Sequence, residues 1–165
     1  MAAPLPSIGD AIAPLLAEIP RAEQPVLIAY AERLAAERYR SWAEMPEGRA
    51  HAAALLACAA REEEIAHRVE ALFEGAVEQQ RRLLAAHPEL LTINRTLLAG
   101  RRFAEQLTIQ ARGERLGAAT WRSFARHASD ARAREELLAC AVLEETSAAA
   151  LEAVLEGIRA VAARC

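Results

Sequence analysis

The 165-residue sequence predicts an all-α protein in which two repeated helical hairpins form a four-helix bundle with a long crossover between them. Three observations support this prediction. Ala, Leu, Glu and Arg, which are strong helix formers, dominate the composition. Five of the seven prolines lie within the first 25 residues, so the rest of the chain has few helix breakers. The sequence also matches itself without a gap at an offset of 82 residues.

The internal repeat includes charged, aromatic and cysteine positions, which chance matches between alanine-rich helices rarely combine. Its members are Glu32-Arg33-Leu34 with Glu114-Arg115-Leu116, Tyr39-Arg40-Ser41-Trp42-Ala43 with Trp121-Arg122-Ser123-Phe124-Ala125, Leu55-Leu56-Ala57-Cys58-Ala59 with Leu137-Leu138-Ala139-Cys140-Ala141, and Glu62-Glu63 with Glu144-Glu145. The repeat therefore predicts a duplicated hairpin, and about 24 residues between the copies can cross the length of a bundle.

The first part of the chain predicts an arm followed by a hairpin. Residues 1–25 form an N-terminal arm with a short helix near residues 10–19, and residues 26–165 form the bundle. Helix A is predicted over residues 26–45, where Pro46-Glu47-Gly48 breaks it. Helix B is predicted as one helix over residues 49–86, because the next strong stop is His87-Pro88.

The second hairpin follows the crossover. Residues 92–106 have a helical pattern with a weak point at Gly100, and helix C is predicted to end near His127. Helix D begins with Ser129 or Asp130 as its N-cap and continues towards Arg164.

Charge and cysteine content exclude several function classes. The net charge is −3 and every basic residue is Arg, so the balance is not that of a nucleic-acid-binding protein. The longest uncharged apolar run, residues 52–60, is too short to span a bilayer, and no signal-peptide pattern opens the chain. The three cysteines form no CxxC pair. We expect a cytoplasmic protein that has free thiols and binds neither nucleic acid nor membrane.

Acidic residues interrupt the apolar faces of the predicted helices. A helical wheel puts Glu62 in the middle of the apolar stripe of helix B and Glu144 in the middle of that of helix D. If helix A turns back near Pro46, Glu32 is level with Glu62, and the repeat makes Glu114 level with Glu144. A buried carboxylate must be protonated, paired or bound to a cation.

Two interpretations of these four glutamates remain open. They form one shared site near the centre of the bundle, or they are core carboxylates bonded to neighbours such as Arg38, Tyr39 or Trp121. Gln106 and Gln110 are predicted on the core face of helix C, either as hydrogen-bonded core amides or as the lining of a pocket near Glu114.

The segment from Glu32 to Ala43 resembles the first helix of rubrerythrins and other ferritin-like proteins, in which a ligand Glu precedes a Tyr by seven residues. The second copy, Glu114 to Ala125, has the same shape with Trp121 in place of Tyr. The resemblance extends over residues 26–161 and implies a ferritin-like bundle with a di-iron or di-manganese site. Such a site takes one Glu from each of two helices and a Glu-x-x-His from each of the other two.

The chain departs from that family pattern at the histidines. Glu32, Glu62, Glu114 and Glu144 match the ligand Glu positions, but Ile65 and Ser147 occupy the places of the two His residues. The one literal Glu-x-x-His ends at His67, which reaches the core only through an irregularity such as a π-bulge. The C-terminal cysteine knuckle of rubrerythrins is absent from the sequence.

The resemblance implies a di-metal carboxylate protein of the oxidoreductase type, which acts on O₂, peroxide or Fe²⁺. Its metal ligands would be Glu32, Glu62, Glu114 and Glu144, with His67 as a fifth. A set of carboxylates without imidazole favours harder ions such as Mn²⁺, Mg²⁺ or Ca²⁺. The alternative is a metal-free bundle that serves as a dimerisation or protein-interaction module. By analogy with the family, we expect a homodimer.

Overall fold

A computed structural model describes residues 4–164 of the chain, which are helical and contain no β-strand. This confirms the all-α class; residues 1–3 of the predicted arm and residue 165 of the predicted bundle lie outside the described range. The seven α-helices are α1 (Ile8–Glu18), α2 (Gln24–Glu44), α3 (Ala52–Glu70), α4 (Ala76–Ala86), α5 (Ile93–Leu98), α6 (Phe103–His127) and α7 (Ala131–Ala162).

The four long helices form two antiparallel hairpins, and equivalent ion pairs join the two helices of each. Arg33 of α2 binds Glu70 of α3, and the residues 82 positions later, Arg115 and Glu152, form the same pair between α6 and α7. The pair Arg40–Glu63 likewise recurs as Arg122–Glu145. The internal repeat of the sequence is therefore also a repeat of contacts.

The two hairpins pack against each other mainly through α3 and α7, and long side chains bridge the wider gap between α2 and α6. Between α3 and α7, Arg68 binds Glu136 at 2.7 Å and Cys58 lies beside Ser147. Between α2 and α6, the Trp42 indole donates to Oε1 of Gln106 at 3.0 Å. Small buried side chains such as those of Ala36 and Ala66 line the inner faces, which lets the helices approach closely.

The prediction of one continuous helix B over residues 49–86 is wrong. A 3₁₀ turn at Arg49–His51 precedes α3, and α3 ends at Glu70. Gly75 then adopts a left-handed conformation with φ of 66°, which glycine enters without steric cost, and α4 begins after it. The new direction places Gln80 beside the start of α2, where its side chain donates to the Val26 carbonyl at 3.0 Å.

The crossover travels along α2. It begins with α4 beside Val26 and ends where Gln106 of α6 meets Trp42, near the other end of α2. Helix α5 is short, and Gly100, with φ of 71°, separates it from α6, as the predicted weak point indicated. Helix α6 ends at His127 as predicted, and the Asp130 side chain caps α7 by accepting from the Ala133 amide.

Helix α1 lies across α6 at two close approaches. A β-carbon at Gly9 would be 2.6 Å from Cδ2 of Leu116, and one at Gly113 would be 2.8 Å from Cδ1 of Ile8. Glycine at both positions leaves room for the side chains of Leu116 and Ile8 in the contact between α1 and α6. Within residues 4–164, no helix combines the length and the apolar character needed to cross a membrane.

Candidate carboxylate metal site

Three of the four predicted glutamates meet between the hairpins. Carboxylate oxygens of Glu32, Glu62 and Glu144 all lie within 4.8 Å of one another. The carboxyl of Glu114 is close enough to interact electrostatically with all three. Each of the helices α2, α3, α6 and α7 therefore contributes one glutamate to a single group of carboxyls. We call these four residues the carboxylate cluster.

Neighbouring side chains orient three members of the cluster. Glu114 accepts hydrogen bonds from the Tyr39 hydroxyl and the Gln110 amide, both at 2.6 Å. The Trp121 indole donates to Glu144 at 2.9 Å, and the Ser147 hydroxyl donates to Glu62 at 2.8 Å. The sequence-based interpretation that Tyr39 and Trp121 bind core carboxylates thus describes the same residues that form the cluster.

Two oxygens of the cluster are buried without a donor. Oε2 of Glu62 and Oε2 of Glu114 are closed to solvent and have no hydrogen-bond partner within residues 4–164. A buried oxygen without a partner is costly, and a bound cation or a shared proton would satisfy it. These atoms fit the donor set that a divalent cation requires.

Gly117 provides the space for the Glu144 carboxyl. A β-carbon at this position of α6 would overlap Oε1 of Glu144 and lie 2.6 Å from its carboxyl carbon. Any other residue would therefore displace the carboxyl. The sequence does not reveal this role of Gly117, because the glycine lies inside a helix and marks no turn.

Burial changes the proton affinity of the cluster. Loss of solvation, with the neighbouring Glu114 charge, raises the pKa of Glu32 to about 8. The pKa values of Glu62 and Glu144 are raised well above the usual range by burial and by the surrounding carboxylates. In the absence of a cation, the raised pKa values favour protonated, uncharged forms of Glu32, Glu62 and Glu144.

Arg38 provides a positive charge beside the carboxylate cluster. Its guanidinium interacts electrostatically with Glu114, Glu32 and Glu62, and burial lowers its pKa. Its Nε and Nη2 atoms are nevertheless closed to solvent and have no hydrogen-bond partner among the described residues. The side chain also lies 6.0 Å from the centre of the Trp42 ring, at the limit of a cation–π contact.

The histidine positions of the ferritin-like pattern hold non-ligand residues. Ile65 is fully buried, and Ser147 donates to Glu62 while it accepts from Nε of Arg61 at 3.0 Å. His67 is exposed and lies outside the cluster, and α3 runs through it as a regular α-helix without a π-bulge. The structure therefore brings four of the five predicted metal ligands together and leaves His67 on the surface.

A cavity of about 390 Å³ extends from the cluster towards the surface between α1, α2 and α6. Glu32, Glu114 and Glu144 line its inner end, together with Arg38 and Gln110. The sequence left Gln110 either as a hydrogen-bonded core amide or as the lining of a pocket near Glu114; in the structure it is buried, donates to Glu114 and also lines this cavity. Gln106 instead binds the Trp42 indole and the Arg101 carbonyl.

In comparisons with known proteins, no protein-family model matches the chain, and neither the curated proteins nor the solved structures include a significant match.

Proposed function

We propose that this chain is a ferritin-like four-helix bundle that binds divalent metal ions at Glu32, Glu62, Glu114 and Glu144. One observation carries the proposal: carboxylate oxygens of Glu32, Glu62 and Glu144 lie within 4.8 Å of one another, beside the carboxyl of Glu114. One oxygen each of Glu62 and Glu114 is buried without a donor within residues 4–164. The placement of one glutamate on each long helix, at equivalent positions of two hairpins, supports the ferritin-like arrangement.

The charge of the cluster supports cation binding. Four ionised carboxylates and one guanidinium would leave an excess of negative charge in a region closed to solvent, which is strongly unfavourable. Divalent ions neutralise this charge without the need for protons. Tyr39, Trp121 and Ser147 each donate a hydrogen bond to one oxygen of a cluster carboxylate. These bonds would orient the carboxylates and leave the second oxygen of each for a metal ion.

The donor set favours a hard cation. All four side chains offer oxygen, and neither imidazole nor thiolate belongs to the cluster, so Mn²⁺ is the first candidate and Fe²⁺ the second. A bound redox-active ion would supply one-electron chemistry towards O₂, peroxide or Fe²⁺. The chain's own part is to hold and orient the carboxylates, to exclude water with α1, and to admit a small molecule through the cavity.

A second candidate function has specific support. The raised pKa values of Glu32, Glu62 and Glu144 favour a cluster that is neutralised by protons without a metal ion. In that case the chain would be a metal-free bundle that acts by dimerisation or by binding another protein. Protons and cations compete for the same oxygens, so metal content distinguishes the two functions.

The decisive experiment is elemental mass spectrometry on untagged protein expressed with iron and manganese supplied. We expect about one to two ions per chain, and less than a tenth of this amount in the Glu62→Gln/Glu144→Gln variant. The matched control is Glu63→Gln/Glu145→Gln, which changes the adjacent residues that pair with Arg40 and Arg122 on the surface. The control should keep its metal.

Metal content below about a tenth of an ion per chain in a folded wild-type protein would refute the metal site. The metal-free function predicts in addition that Glu62→Leu/Glu144→Leu raises the melting temperature, because it replaces buried carboxyls by apolar side chains of similar size. The metal-binding function predicts that the same change removes the metal and lowers the melting temperature of protein saturated with Mn²⁺.

A further inference from the structure

The cavity beside the carboxylate cluster combines apolar walls with a few polar groups that have no partner. Its walls include Ile8, Ile12 and Leu16 of α1, Ile28 of α2 and Leu116 of α6. Its volume of about 390 Å³ falls within the range of small-molecule sites, which is roughly 300–1,000 Å³. The cavity is therefore large enough for an organic molecule with an apolar body.

The unsatisfied polar atoms concentrate at this cavity. Among the described residues, six carry buried side-chain atoms without a hydrogen-bond partner, and four of the six line the cavity: Arg38, Asn94, Gln110 and Glu114. The other two are Glu62 of the cluster and Arg68. Because buried polar groups in folded proteins are normally paired, such a concentration indicates a place where a ligand supplies the missing partners.

The geometry of the Arg38 guanidinium specifies the chemistry of that partner. Its unpaired atoms are Nε and Nη2, which form one edge of the guanidinium. Elsewhere in this chain the same edge binds a carboxylate with two hydrogen bonds, in Arg33–Glu70 and in Arg115–Glu152. Two parallel N–H donors match the two oxygens of a carboxylate.

Charge balance gives an independent reason for an anion. When two divalent cations are bound, they cancel the four carboxylates of the cluster, and the Arg38 charge has no counter-ion in the protein interior. The acidic groups that act on Arg38 are Glu32, Glu62 and Glu114 of the cluster, so once cations neutralise them an anionic ligand would supply the counter-charge. A buried cation without a counter-ion is strongly unfavourable.

We infer that the cavity binds an apolar monocarboxylate, whose carboxylate pairs with the Nε–Nη2 edge of Arg38 and whose apolar body lies between α1, α2 and α6. This inference names the ligand class of the proposed metal site and rests on that proposed function. It places the carbon chain of the ligand beside Glu32, Glu114 and Glu144, which are proposed metal ligands.

Calorimetric titration of Mn²⁺-loaded protein with octanoate tests this inference, and 1-octanol, which has the same chain without the charge, is the matched ligand. The metal content of each sample is measured first. We expect octanoate to bind at least tenfold more tightly than 1-octanol. In Arg38→Met this preference should disappear, while Arg40→Met, which loses only the surface pair with Glu63, should retain it.

A variant that fills the cavity distinguishes the contribution of the apolar walls to binding from that of the ligand's head group. Ala31 lines the cavity, and Ala31→Leu should weaken octanoate and 1-octanol alike by at least fivefold. Equal binding of the two ligands to wild-type protein, no octanoate binding to metal-loaded protein, or an unchanged preference in folded Arg38→Met would each refute the inference while the metal site stands. Protein that takes up no metal refutes the proposed function, and the inference fails with it.

Discussion

The protonation of Glu32 makes the stability of the metal-free protein depend on pH in an unusual direction. Burial beside Glu114 raises the pKa of Glu32 from its ordinary value of 4.5 to about 8. The folded state therefore binds this proton more tightly than the unfolded chain does. By linkage, the stabilisation is fully present below pH 4.5 and is lost as the pH rises towards 8.

The expected size of this loss follows from the two pKa values. They differ by about 3.5, and each pKa unit corresponds to about 1.36 kcal/mol, so full ionisation of Glu32 lowers the free energy of unfolding by about 5 kcal/mol. The pKa values of Glu62 and Glu144 are raised in the same direction, which makes the trend stronger and not weaker. A small domain has a total stability of about 5–15 kcal/mol, so the effect is easily measured.

Urea unfolding in the presence of EDTA, followed by far-ultraviolet circular dichroism at pH 5, 6, 7 and 8, measures this trend. We expect the free energy of unfolding to fall steadily over this range. Glu32→Gln, which cannot ionise, should have a flatter dependence and exceed wild type in stability at pH 8. Glu37→Gln, which changes an exposed residue of the same helix, should follow wild type.

A wild-type stability that is constant or rises between pH 5 and 8 would refute this account of the cluster. Excess Mn²⁺ in place of EDTA should reverse the trend, because deprotonated carboxylates bind the cation and binding stabilises the folded state. Together, the two buffers distinguish a cluster that is neutralised by protons from one that binds metal.

Two further substitutions test the packing around the cluster. Gly117→Ala should destabilise the protein by about 1–3 kcal/mol in thermal unfolding, because its methyl group overlaps the Glu144 carboxyl. In Gly157→Ala of α7 the methyl group meets only Cε1 of His51, at an ordinary contact distance of 4.0 Å, and the protein should gain up to about 1 kcal/mol; equal effects would contradict the overlap. Tyr39→Phe should cost about 1–3 kcal/mol in urea unfolding, because it removes the 2.6 Å bond to the buried Glu114 carboxylate; a neutral result would show that the hydroxyl contributes nothing.

The four glutamates of the cluster were predictable because two regularities of the sequence apply to each of them. Helical periodicity placed Glu62 and Glu144 on inner faces. The turn near Pro46 put Glu32 level with Glu62, and the repeat at 82 residues put Glu114 level with Glu144. The local environment was less predictable. Tyr39 binds Glu114 of the other hairpin, but its repeat counterpart Trp121 binds Glu144 within its own hairpin. Equivalent positions thus acquire different partners once the two hairpins pack.

The cavity and its polar groups were beyond prediction for a related reason. Arg38 is one of 20 arginines, and its sequence position does not show that its guanidinium edge is closed to solvent without a partner. Gly117 has no turn or terminus to mark it. Both roles arise only where three helices, distant in sequence, enclose the same volume.

The sequence by itself determined the all-α class, the duplicated hairpin and the inward position of one glutamate on each long helix, because helix propensity, periodicity and repetition are local properties. The tertiary structure alone decided where helices end. Glu74-Gly75 and Glu156-Gly157 are the same dipeptide at equivalent repeat positions, yet Gly75 turns the chain into α4 while Gly157 lies inside α7. At Gly75 the turn lets α4 pack against α2 through Leu83, which joins a buried apolar group with Val26 and Leu27. The burial gained by packing, and not the intrinsic preference of glycine, therefore selects between a turn and a continuous helix.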